Sequence, residues 1–167
     1  MEEIAQAITH DYKDESFVIV SILKGACILT ADLQRVLYTL QCRQFRTSFV
    51  SIRTYRSGTE SSRNPQLIQD VDFDPKDEQI LLVDDIIDTG ISLRFLHHIM
   101  TERGAKSVRS FAFLSKPERR EVDYEANYVG FSVPNVWVEG YGMDSDEYGR
   151  GNPNIIVGPS ICLGCER

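Results

Sequence analysis

The chain has 167 residues, a length for one domain whose core can stand without disulfide or metal staples. With 42% hydrophobic and 26% charged residues it has an ordinary globular composition, and its net charge of -7 argues against a nucleic-acid partner, because clustered Lys and Arg supply affinity for a phosphate backbone. The longest apolar runs are far too short to cross a bilayer and nothing at Met1–Tyr12 resembles a signal peptide, so no membrane partner and a cytoplasmic location are expected.

In chain order, Ile4, Ala7, Ile8 and Tyr12 recur at helical spacing, and Phe17–Leu23 is a short β-branched run that reads as a strand. "LKGA" follows, then an amphipathic helix over Ala26–Leu40 and an alternating strand over Phe45–Ile52. Arg53–Gln66 is polar, with Gly58 and Pro65, and reads as a long loop, of the kind that is usually functional or disordered. Ile80–Val83 is a buried strand, Ile91–Arg103 a helix closed by Gly104, and Val108–Leu114 another strand. Strand and helix alternate at βαβ spacing, which predicts an α/β fold with a central parallel sheet flanked by helices. Past Lys116-Pro117 the pattern changes to short strands with aromatics and glycines. That stretch, roughly 117–167 with part of the N-terminus, is expected to form a small C-terminal hood lobe within the single domain.

Four cysteines occur, Cys27, Cys42, Cys162 and Cys165. The last two form a lone C-x-x-C without the further ligands that zinc needs, so reduced, idle thiols are expected.

The chemistry concentrates in "QILLVDDIIDTGISL", Gln79–Leu93, where a buried strand runs into Asp84 and Asp85 and then into Asp88-Thr89-Gly90-Ile91-Ser92 at the mouth of a helix. In open α/β sheets, ligands sit at the carboxyl ends of the strands. The glycine turn and helix N-terminus suit a phosphate, to which Thr89 and Ser92 add hydroxyls. The carboxylates would repel a phosphate; they suit hydroxyls or a divalent cation. One ligand with a monophosphate, a diol and a metal-bound pyrophosphate accounts for all of these, namely 5-phosphoribosyl-1-pyrophosphate. A receiver domain also binds magnesium through paired acids, but those lie near its first strand.

"ILLVDDIIDTGISL" resembles the phosphoribosyl-pyrophosphate motif of the type I phosphoribosyltransferases, and nearly the whole chain is similar to their hypoxanthine-guanine branch. Three further motifs follow the family's order. For "LKGA", the resemblance implies a cis Leu23–Lys24 peptide, with Lys24 and Gly25 at the pyrophosphate. "RTYRSGT" is similar to the mobile loop that closes over the site, with Thr54-Tyr55 where Ser-Tyr is usual. "LSKP" carries Lys116, expected to donate to the exocyclic oxygen of the purine; an ammonium has only donors, so a 6-oxo group is favoured over a 6-amino group.

In "VWVEGYGMDSDEYGR", the resemblance implies that Trp137 stacks on the purine, Val138 reads it through backbone groups, Asp144 faces magnesium and Arg150 reaches pyrophosphate. Trp137 stands where Phe or Tyr is usual, Ile91 replaces a polar residue in the phosphate turn, and Ser145 replaces a common aromatic. By the same resemblance, a first strand that many relatives contribute at the N-terminus is expected to be missing.

The implied activity is a magnesium-dependent 6-oxopurine transfer in purine salvage. Asp88 is the expected general base, and Asp84 and Asp85 hold the ribose hydroxyls. Residues 88–92 (Asp88, Thr89, Gly90, Ile91, Ser92) hold the 5'-phosphate, and Asp144, Asp84 and Asp85 hold Mg2+. A homodimer or homotetramer is expected. The alternatives are a xanthine-preferring enzyme, or a nucleic-acid-binding regulator that keeps the fold.

Overall fold

The computed structural model describes residues 1–56 and 63–158 of the chain. Helix α1 (Glu2–Asp11) leads into β1 (Phe17–Leu23), α2 (Ala26–Thr39) and β2 (Phe45–Arg56). After β3 (Arg63–Gln69) come β4 (Gln79–Ile87), α3 (Ile91–Glu102), β5 (Ser107–Ser115) and β6 (Tyr128–Ser132), then the short β7 (Val138–Glu139) and β8 (Ile156–Val157).

Six strands form one sheet in the order β3-β2-β1-β4-β5-β6, and every neighbouring pair is parallel except β2 with β3. The central strands are buried on both faces, which is why β1 and the first half of β4 read as continuous apolar runs. Alternate side chains serve two cores. Phe17, Ile19, Leu81 and Val83 pack with Ala5, Ile8 and Tyr12 of the N-terminal segment and with Leu29, Leu33 and Leu37 of α2. Val18, Val20, Ile80 and Leu82 pack with Leu93, Leu96 and Met100 of α3. Fully burying each of the Val, Leu, Ile, Phe and Met side chains among these contributes about 1.5–3 kcal/mol.

Three expectations about the fold change. The segment read as a long loop is largely a hairpin: β2 runs through Thr54 and Tyr55, which pair with Pro65 and Asn64 of the antiparallel β3. Pro65, which cannot donate to a ladder, is tolerated because β3 is an edge strand. The side chains of Thr54 and Tyr55 lie outside the part described, as do Cys162 and Cys165.

Second, the chain after Lys116 does not go straight into a hood: β6 first extends the main sheet, pairing parallel with β5. Among the described residues the small sheet is β7 with β8, over a minor core of Leu114, Val138 and Met143. Third, the N-terminal segment joins the main core rather than the hood, because Ala5, Ile8 and Tyr12 form an apolar stripe that is buried there.

No described helix is long and apolar enough to cross a membrane. The strand order reverses between β1 and β4: β1 crosses through α2 to β2 on one side, and β4 through α3 to β5 on the other. A crevice therefore opens at their carboxyl ends, the place where α/β sheets bind ligands.

Candidate active site

The turn after β1 and the end of β4 meet in that crevice. The Leu23–Lys24 peptide is cis, as the family resemblance implies. Gly25 has ordinary helical dihedrals, so its lack of a side chain serves close approach and not backbone freedom: a Cβ there would fall inside the carboxylate of Asp85. On its other side the Gly25 carbonyl is packed against Gly142 of the hood. Asp85 thus faces the first turn of α2.

Asp84 has the opposite pleat and only 9% exposure. Its Oδ1 accepts the amide of Asp85 at 3.1 Å. Burial, and then the charge of Asp85, push its carboxyl well above the usual carboxylate range; burial raises Asp85 too. Two adjacent acids enclosed in this way cost stability unless a ligand satisfies them.

Beyond β4 the chain turns at Gly90, whose φ of 81° suits glycine and which caps the N-terminus of α3. The expected phosphate turn is therefore a real helix start. The Ile91 amide also reaches Thr89 Oγ1 at 3.4 Å, and Thr89, Ile91 and Ser92 are all half-buried.

Two consecutive arginines brace this turn from the segment after β5. Arg119 donates Nε to Oδ1 of Asp88 at 2.9 Å and Nη2 to Oδ2 at 3.4 Å. Arg120 donates from Nη1 to the carbonyls of Ile87 and Asp88, and from Nη2 to Ser115 Oγ. The sequence reading missed both. Their position one residue beyond Lys116-Pro117 was the available signal.

Lys116 has 8% exposure, and its amide donates to Ile87 O at 3.0 Å, which sets it beside the Asp88 turn. A cavity of about 180 Å³ is lined by Asp85, Asp88, Lys116, Trp137, Val138 and Asp144, with Ile86 and Met143. Six predicted site residues from four parts of the chain thus share one space. Trp137 is 56% exposed, so its ring is not part of the core, while Val138 is buried in β7. Asp84 is not among the lining residues.

The two predicted pyrophosphate cations are each paired with an acid of the hood. Arg150 pairs with Asp144 at 2.8 Å and donates to the Gly142 carbonyl at 2.8 Å. Lys24 pairs with Glu147 at 2.7 Å, across exposed side chains. Glu147 also lies 3.5 Å from Arg150, so both cations assigned to pyrophosphate are held by hood carboxylates. Glu147 was not anticipated.

Among the described residues no three acids, histidines or cysteines converge on a metal position, so the Asp84–Asp85–Asp144 set is not assembled. Asp84 is enclosed, Asp85 is turned to Gly25 and Asp144 is held by Arg150. The donor chemistry still fits magnesium, which binds through one or two carboxylates, waters and ligand phosphates and not through an all-protein cage. Asp85 and Asp144, on one cavity, meet that lesser requirement.

This chain belongs to the phosphoribosyltransferases: the family model described as the phosphoribosyl transferase domain matches residues 1–146. Among its relatives is the hypoxanthine-guanine phosphoribosyltransferase of Aquifex aeolicus, 38% identical over 94% of this chain and 86% of that protein. Among solved structures, the hypoxanthine phosphoribosyl transferase of Trypanosoma cruzi superposes with a TM-score of 0.87 at 32% identity, over 93% of this chain and 83% of its own. A hypoxanthine-guanine phosphoribosyltransferase of Bacillus anthracis gives 0.85 at 34% identity, over 92% and 88%.

Proposed function

We propose that the protein is a 6-oxopurine phosphoribosyltransferase of purine salvage, transferring the 5-phosphoribosyl group of 5-phosphoribosyl-1-pyrophosphate to N9 of hypoxanthine or guanine. The products are IMP or GMP and pyrophosphate. The observation that carries this reading is the single cavity shared by Asp88, Lys116 and Trp137 at the carboxyl ends of β4 and β5.

In this mechanism the purine enters between the exposed ring of Trp137 and the end of β4, an aromatic surface suited to stacking. Lys116 donates to the 6-oxo group, which a 6-amino group cannot accept. The 5'-phosphate sits on the amides at the start of α3, and Asp85 accepts from the ribose hydroxyls. N9 forms a bond to ribose C1 while the C1–O bond to pyrophosphate breaks. The ring proton on N7 goes to, or is shared with, Asp88.

Lys24 and Arg150 exchange their carboxylate partners for the departing pyrophosphate, whose growing charge they offset. Asp144 and Asp85 would hold magnesium, and the ion would add positive charge beside the leaving group. The hairpin of β2 and β3, which carries Thr54 and Tyr55, is the element that would close to exclude water. The proposal includes self-association as a homodimer or homotetramer and a cytoplasmic location.

Steady-state turnover of hypoxanthine, guanine, xanthine and adenine with the same phosphoribosyl donor and magnesium tests it. Turnover of the first two with adenine rejected is the expected result. Preference for adenine, or turnover of none, would overturn the reading, and preference for xanthine would move the enzyme to a sibling specificity.

A further inference from the structure

We infer that Arg119 is a positioning residue for Asp88, holding its carboxylate in the orientation that meets the purine N7 proton. The inference rests on the proposed role of Asp88.

The geometry has three parts. Arg119 grips both oxygens of Asp88, through Nε and Nη2, and a two-pronged contact fixes the plane of a carboxylate as a single contact does not. Arg119 itself is set by a 3-10 turn over Pro117–Arg119, in which its amide donates to Lys116 O at 3.0 Å. The turn that presents Lys116 to the base therefore also presents Arg119 to Asp88. Finally, Asp88 lines the cavity and Arg119 does not. The guanidinium approaches from outside the cavity and occupies two of the roughly four lone-pair positions of the carboxylate, which leaves the cavity side open to accept a proton. An arginine that blocked the base would have to stand inside.

Arg120 completes the support at a different level. It fixes the backbone carbonyls of Ile87 and Asp88, while Arg119 fixes the side chain. Orientation of a reacting group by such contacts is worth a large factor in rate, because a small displacement removes the near-attack geometry.

The test uses the full-length protein and compares Arg119→Gln, Arg119→Lys, Asp88→Asn and the double variant Arg119→Gln/Asp88→Asn on hypoxanthine. Arg119→Gln is expected to lower kcat about 10-fold, with KM for the phosphoribosyl donor and the melting temperature little changed, since its side chain is 37% exposed. Arg119→Lys keeps the charge but not the two-pronged grip, and recovers only part of the loss.

In the Asp88→Asn background the arginine substitution is expected to add nothing, because its effect passes through Asp88. An unchanged kcat in Arg119→Gln overturns the inference. So do losses that multiply in the double variant, which would mark a structural role, and full recovery by Arg119→Lys, which would assign the effect to charge alone. Absence of turnover in the unsubstituted protein is a different failure, of the proposed function itself, and an undiminished Asp88→Asn removes Asp88 from the mechanism; either takes the role of Arg119 with it.

Discussion

The Cα of Gly25 lies directly against the carboxylate of Asp85, so that the first turn of α2 and the end of β4 share a space too small for a methyl group. The Gly25 carbonyl is in turn seated on Gly142, which closes off the obvious retreat. Gly25→Ala should therefore rotate Asp85 out of its position. The expected result is a loss of roughly 10²-fold in kcat/KM for the phosphoribosyl donor, the scale of a misplacement of about 1 Å. Steady-state kinetics at saturating purine checks it, and an unchanged value would mean that Asp85 does not need its present place.

Asp84 makes the opposite kind of prediction. It is enclosed beside Asp85, outside the cavity, and its charge is disfavoured by burial and by its neighbour. Asp84→Asn keeps an acceptor for the Asp85 amide while removing the charge. Thermal unfolding of the unliganded protein at neutral pH should show a rise of roughly 2–4 °C, which is about 1 kcal/mol for a chain of this size. A fall in melting temperature would mean that the buried charge has a compensating partner.

Lys116 bears on substrate class. Lys116→Gln replaces an ammonium by an amide that can also accept, so a 6-amino group becomes tolerable. The oxopurine loses a charge-assisted hydrogen bond of about 1.5–3 kcal/mol, or about 10–100-fold in kcat/KM, and adenine loses nothing. The ratio of kcat/KM for hypoxanthine over adenine should therefore narrow. A uniform fall for both bases would assign Lys116 to structure.

His97 predicts a pH dependence of stability. Its Nδ1 lies 3.2 Å from the Tyr124 hydroxyl, which donates on to Ser110, and burial holds its pKa below the ordinary 6.5. Arg94, His98 and Glu121 line the same groove. The folded state binds the proton less readily than the unfolded chain. The contribution of His97 is therefore fully present above pH 6.5 and is lost as pH falls through the lower folded value. His97→Gln should flatten this dependence: the melting-temperature gap between wild type and variant should be larger at about pH 7.5 than at about pH 5.5. A gap that does not change with pH would mean that the ring is neutral, or charged, in both states alike.

Local chemistry made much of this protein readable in one dimension. The apolar run of Ile80–Val83, the acids after it and the glycine turn at Gly90 are contiguous, and each obeys a local rule: an apolar strand buried on both faces, acids at its carboxyl end, a left-handed glycine before a helix. Lys116 and Trp137 were legible for a different reason, since they stand in motifs whose order along the chain matches a family. Pairing was not legible in the same way. Thr54 and Tyr55 sit in a polar stretch that reads as a loop, and became strand because β3 folds back on β2. β6 belongs to the main sheet because β5 offers it an edge.

The sequence by itself determined the α/β alternation, the glycine turn into α3 and the chemical kind of each acid, because these depend on neighbours a few residues away. The tertiary structure alone decided which acid lines the crevice, what holds Asp88 and which carboxylates hold Lys24 and Arg150. Asp84 and Asp85 are indistinguishable in one dimension. The pleat of β4 points them to opposite faces, and only the glycine of another loop, Gly25, leaves room for one of them at the crevice. Arg119 lies 31 residues from Asp88, and Glu147 lies 123 from Lys24. Such contacts are set by the order of strands and the path of the hood, and no local rule encodes them.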